Sequence, residues 1–270
     1  MKMKKDFTRT EAASRSANDF SADKQHYEHL VLHIPHSSIV VPNNGANPAT
    51  FDEEEWKLID LYTDSLFAPD EAHERISPIV FPYCRLYCDV ERLPHDPLEK
   101  RGLGISFQRT IDGVHTRTWG SRVQALKDYA RYHFETTLQL IDLQEKFRHR
   151  VLLIDCHSFS AQSNLLVPNP PHDVDICIGF NDDETKPSDD VIAQLCDFFA
   201  RKGYRVGMNT PFSNSKTFDV PAGNAYQSVM IEVCKSVYMN EETLEKTAGF
   251  QRLHNELQML YNQLLHGTTD

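Results

Sequence analysis

The sequence predicts an α/β protein, a single domain with a mixed, mostly parallel sheet between layers of helices. Three observations carry that reading. Short apolar runs recur at 29–34, 151–154 and 228–234. The run at 151–154 is continuous rather than alternating, as a strand covered on both faces is. Amphipathic stretches of helical spacing separate them, and strands alternating with helices give a sheet of this kind. A chain of 270 residues is long enough to bury one large core.

Taken in order, residues 1–26 are polar, rich in Ser and Lys and without period, so a loosely held arm is expected there, with the folded domain over 27–270. The Lys-rich start, Met1-Lys-Met-Lys-Lys5, is followed by no apolar segment and does not read as a secretory signal. His29-Leu-Val-Leu-His-Ile34 is the first strand; Pro35 closes it, and His36, Ser37 and Ser38 follow in a loop. A helix is expected from an N-cap at Thr50, through the acidic first turn at 52–55, to Phe67. On that helix Asp60 and Asp64, four residues apart, share a face, which is either solvated or set beside a cation.

Residues 78–82 and 85–90 read as strands. Residues 93–120 carry Gly102, Gly104, Gly113, Pro94 and Pro97 with no helical period, and a loop of that length is usually functional. A long amphipathic helix is expected over 121–149. The strand at 151–154 then runs into Asp155, His157 and Ser158, at the carboxyl end where open α/β sheets place their ligand crevices. Beyond it come a strand at 174–180, a helix capped by Ser188 and ending near Arg201, a strand from Tyr204, a polar loop at 209–224, the strand holding Glu232, and a helix over 241–265.

The net charge of −11 argues against nucleic acid or an anionic membrane as partner, because phosphate binding needs a basic face. No apolar run approaches the ~18 residues of a membrane span. The six cysteines lie mostly in apolar runs without CxxC spacing, so they read as buried thiols of a reducing, cytoplasmic compartment. Cys84 and Cys88 could hold a metal only with a second pair, and the sequence offers none.

His36 and His157 each end a strand and precede a serine. A lone histidine in such a place reads equally as a capping or core-edge residue. With an aspartate from the 60/64 pair, the two make a His/His/carboxylate set, the composition of a catalytic zinc site that keeps one position for water. Glu232 sits inside Val-Met-Ile-Glu-Val, where an unpaired carboxylate is costly to bury. It needs either a salt bridge to a core arginine or a task as general base.

Several stretches together resemble the N-formylglutamate amidohydrolases: Ile34-Pro-His-Ser-Ser38, Asp60-Leu-Tyr-Thr-Asp-Ser-Leu-Phe67, Arg85-Leu-Tyr-Cys-Asp-Val-Glu-Arg92, Gly102-Leu-Gly104, Asp155-Cys-His-Ser158 and Met230-Ile-Glu-Val-Cys-Lys-Ser-Val-Tyr-Met239. They follow that family's order over nearly the whole folded part. The resemblance implies a fold like that of the zinc carboxypeptidases and aspartoacylases. It implies one zinc ion on His36, His157 and Asp60, with Asp64 as the substitute carboxylate, and Glu232 as general acid/base. Arg92 would polarise the scissile carbonyl or grip a substrate carboxylate, and Asp89 would orient it or a metal ligand.

Ser37 and Ser158 flank the candidate ligands, and Arg117, Lys216 and Lys235 are candidate contacts for an acidic substrate or else ordinary surface charges. The chain departs from the family's pattern at Val-Cys-Lys after Glu232, where Asn-Arg is usual, and at 211–217, where a glycine is expected. Both departures bear on the substrate rather than on the chemistry. The implied activity is zinc-dependent hydrolysis of a small anionic N-acyl amino acid, N-formyl-L-glutamate first. The alternatives are the same chemistry on another N-acyl amino acid or peptide, and a binding or scaffold protein that keeps the fold without catalysis.

Overall fold

The computed structural model describes residues 26–43, 49, 51–147, 150–161, 173–221 and 226–267, so the arm expected over 1–26 lies outside the described residues except for His26. The strands are β1 (His29–Ile34), β2 (Ile76–Val80), β3 (Val151–Phe159), β4 (Ile176–Gly179), β5 (Val206–Met208) and β6 (Gln227–Cys234). The helices are α1 (Glu53–Trp56), α2 (Thr63–Phe67), α3 (Trp119–Phe147), α4 (Asp189–Arg201) and α5 (Ala248–His266). The strands form one sheet in the order β2-β1-β3-β6-β4-β5. Every neighbouring pair is parallel except β4 and β6, which makes the sheet mixed and mostly parallel as expected.

The two faces of the central strands differ, and the difference places the site. One face carries Leu30, Leu32 and Ile34 of β1, Leu152, Ile154 and Cys156 of β3, and Val229, Ile231 and Val233 of β6, all in one core with Leu66, Leu195, Leu257 and Leu260 of the helices. The other face is apolar only at the start of the strands, where Val31, Val151 and Leu153 pack with Ala125, Tyr132 and Leu140 of α3. Further along, the same face presents His33, Asp155, His157 and Glu232, because side chains two apart on a strand share a face.

Several elements depart from the sequence reading. β3 does not end at Ile154: its ladder with β6 continues from Leu152↔Gln227 to Phe159↔Cys234, so Asp155, His157 and Ser158 are strand residues held by backbone pairing. Residues 85–90 do not form a strand. The Tyr87 and Cys88 amides both return to the Cys84 carbonyl, at 2.9 and 3.0 Å, in a helical turn that brings Arg85 and Asp89 together.

The single helix expected over 50–67 is two short ones. Thr50 lies outside the described residues, and Asp52 is the N-cap of α1 in a reciprocal capping box with Glu55. The helix stops because the Asp60 amide is bonded to the His36 carbonyl at 3.0 Å, and α2 restarts only after Tyr62 at φ 71°. α5 starts at Ala248, capped by Thr247, rather than near 241, because the Asn240 side chain accepts from the Glu242 and Thr243 amides and holds a turn there. α4 begins behind its Ser188 cap as read.

Candidate active site

His36 follows β1, Asp60 lies between α1 and α2, and His157 is in β3; their ligating atoms all fall within 4.8 Å of one another. Each of the three is buried. His157 Nδ1 is 3.0 Å from Asp60 Oδ2, and His36 Nδ1 is 3.6 Å from the same oxygen. The opposite nitrogens are engaged elsewhere: His36 Nε2 with Asp89 Oδ1 at 2.9 Å, His157 Nε2 with Asp155 Oδ1 at 3.1 Å. Both imidazoles therefore turn Nδ1 toward the common centre while a carboxylate fixes the other side of the ring, the arrangement in which histidines ligate metals.

The fit to a metal rests on one atom in particular. His36 Nδ1 is shut from water and has no hydrogen-bond partner, a cost that a cation at the centre of the triad would remove. Two imidazole nitrogens and a carboxylate oxygen are donors suited to zinc. Asp64 does not join them. It is exposed, and its carboxylate accepts from the Ser65 amide, because the break between α1 and α2 removes it from the face that Asp60 presents.

The electrostatics follow from burial opposed by close pairing. Burial works to raise Asp60, but close pairing with His157 and His36 outweighs it and holds the carboxyl well below its usual range. Asp89 and Asp155 are likewise held low against burial, Asp89 chiefly by Arg85 and His36, Asp155 chiefly by His157 and His33. For His157, burial favours the neutral ring, but Asp155 and Asp60 outweigh it and raise its pKa well above the ordinary value.

Glu232 stands opposite His157 in the β3–β6 ladder. The salt bridge to a core arginine, its structural alternative, does not form among the described residues, and burial pushes its pKa up to about 8. A carboxyl near neutral in affinity for protons is suited to moving one.

The other residues that the sequence singled out separate into those near the site and those used by the scaffold. Asp89 holds His36 and also receives Arg85, at 2.9 Å from its other oxygen. Arg92 reaches Asp89 at 3.5 Å and Asp96 at 3.6 Å, and its Nε makes no hydrogen bond. Ser158 accepts from Tyr238 at 3.0 Å, and Ser37 is buried beside His36. Arg117 belongs to the scaffold: its guanidinium donates to the Phe107, Tyr87 and Leu86 carbonyls at 2.6, 2.9 and 2.7 Å. Lys216 and Lys235 are buried rather than surface charges, with their ammonium groups on the Val90 and Lys57 carbonyls.

Sequence reasoning passed over Arg85, His33, Glu91 and the role of Asp155. Arg85 carried a signal, since i, i+4 with Asp89 on one turn is a pairing distance. His33 and Asp155 carried one only in the pairing of β1 with β3, which sets them side by side.

A buried His/His/carboxylate centre with a further buried carboxyl beside it, on a mixed sheet between helices, is a set of groups that hydrolytic enzymes use. The chain belongs to the N-formylglutamate amidohydrolase family, whose model matches residues 28–239. No curated protein matches the sequence. The fold is similar to that of the N-formylglutamate amidohydrolase from Ralstonia eutropha JMP134, with a TM-score of 0.71 and 21% identity over 90% of this chain and 94% of that one. It is also similar to the gene product Atu2144 from Agrobacterium tumefaciens, at a TM-score of 0.53 and 14% identity over 88% and 92%. No helix among the described residues is long and apolar enough to cross a membrane.

Proposed function

We propose that this protein is a zinc-dependent amidohydrolase that hydrolyses N-formyl-L-glutamate to formate and L-glutamate, working in the cytoplasm as one catalytic domain over 27–270. The observation that carries the metal is the shared aim of His36 Nδ1 and His157 Nδ1 at Asp60 Oδ2, with the first of them buried and unpartnered. The substrate class follows from the family.

His36, Asp60 and His157 would hold the ion. When bound there, zinc supplies a Lewis acid and lowers the pKa of water from ~15.7 toward ~7. Glu232 takes the proton from the attacking water and returns it to the departing nitrogen, a role typically worth ~10²–10⁴ in rate. Asp89 and Asp155 keep the two imidazoles in the tautomer that leaves Nδ1 bare. Arg92, with an unused Nε donor, pairs with the substrate's carboxylate or its carbonyl oxygen.

The test is formate release from N-formyl-L-glutamate by metal-stripped protein before and after one equivalent of zinc. Release that appears only with zinc supports the reading. Release that survives stripping overturns the metal requirement, and tight zinc binding without release keeps the hydrolase but discards this substrate.

A further inference from the structure

A second set of ligating atoms lies beside the first. His33 Nδ1 is 2.7 Å from Asp155 Oδ1 and 3.5 Å from Glu91 Oε1, and the three donor atoms fall within 4.8 Å of one another. His33 and Asp155 are buried and paired in register across β1 and β3. Glu91 follows Val90 in the turn after β2, and its side chain is 21% exposed, which makes it the one open side of the set.

The hydrogen inventory here falls short by one. A neutral imidazole carries at most one hydrogen on Nδ1. Given to Asp155 at 2.7 Å, it leaves nothing for Glu91 Oε1, which is shut from water and has no hydrogen-bond partner. A buried carboxylate oxygen without a donor is a costly thing to keep. A divalent cation among the three atoms would satisfy all of them, since imidazole and carboxylates are its ordinary ligands. Asp155 has the capacity: Oδ1 accepts from His157, Oδ2 accepts from the Lys216 amide at 2.8 Å, and each oxygen has a second lone pair.

We propose that His33, Glu91 and Asp155 form a second divalent-cation site, distinct from the triad of His36, Asp60 and His157. The His157 ring stands between the two sets, with Nδ1 toward Asp60 and Nε2 toward Asp155 at 3.1 Å and Glu91 Oε2 at 3.8 Å. The His157–Asp155 hydrogen bond joins the sites, so Asp155 orients a ligand of the first while binding in the second. This builds on reading the first triad as a metal site, and the two are tested separately.

The experiment is dialysis of the metal-stripped full chain against Zn²⁺, and in parallel Mn²⁺, with metal per chain counted by mass spectrometry. The expected result is two equivalents for the unchanged protein, one for Glu91→Gln, one for His36→Ala and none for the double variant. Glu91→Gln changes a partly exposed side chain to one of nearly the same shape, and an unchanged melting curve shows that the fold is kept. His33→Gln gives an independent removal of the same site. One equivalent in the unchanged protein that Glu91→Gln and His33→Gln both leave in place overturns the proposal. One equivalent lost in Glu91→Gln but kept in His36→Ala supports the second site and overturns the first.

Discussion

His157 and Glu232 stand directly opposite one another in the parallel ladder of β3 and β6, on the face that also presents Asp155. That register sets the Glu232 carboxyl beside the His157 imidazole through backbone pairing alone.

Glu232→Gln keeps the shape of the side chain and removes its ability to take a proton. Formate release should fall by ~10²–10⁴, while metal content stays at the level of the unchanged protein. A variant that turns over normally would show that another group moves the proton.

Asp60 and Asp64 should behave oppositely. Asp60 lies with both histidines, whereas Asp64 is exposed and bonded to the Ser65 amide. Asp60→Ala should abolish metal retention at the first site through a desalting column. Asp64→Ala should leave retention and turnover within about two-fold, the size expected of a surface change. Loss of metal in the Asp64 variant alone would reverse the assignment.

Arg117 should matter to folding and not to substrate. Burial lowers its pKa to about 10, and the guanidinium spans the Phe107, Tyr87 and Leu86 carbonyls. Arg117→Met should cost on the order of 2–4 kcal/mol in urea unfolding. The folded fraction should keep its KM for N-formyl-L-glutamate; a raised KM with unchanged stability would restore Arg117 as a substrate contact.

His29 lies at the start of β1, stacked on Phe147 at 4.7 Å, with Nε2 2.9 Å from Ser77 Oγ. Burial lowers its pKa to about 4, helped by Lys146, Arg75 and His73. The folded value lies below the unfolded one of ~6.5, so the unfolded chain takes up a proton that the fold refuses. The stability this supplies is full above pH 6.5 and is lost as pH falls through about 4. Its size, discounted for solvent screening, is roughly 2–3 kcal/mol over that window. His29→Phe should flatten the pH dependence of unfolding between 6.5 and 4, and an unaltered slope would place the acid sensitivity elsewhere.

The residues that chemistry singles out one at a time were legible in the chain. A carboxylate inside Val-Met-Ile-Glu-Val, and histidines closing apolar runs at 36 and 157, announce themselves because burying them is costly without a task. The parallel architecture was legible for a similar reason, since continuous apolar strands need cover on both faces. Even the N-cap of α4 at Ser188 could be read locally.

What only the tertiary structure decided is which of these groups meet. Asp60 rather than Asp64 joins the histidines because a hydrogen bond from the Asp60 amide to the distant His36 carbonyl stops the helix that local periodicity favours. Arg85 and Asp89 turn inward because 85–90 winds into a helical turn instead of a strand. His33 meets Asp155, and His157 meets Glu232, through strand register, which joins residues far apart in the chain. A slip of one residue would send every one of these side chains to the apolar face. The sequence determined the parts of the site by the cost of burying polar groups; their assembly was set by non-local backbone pairing.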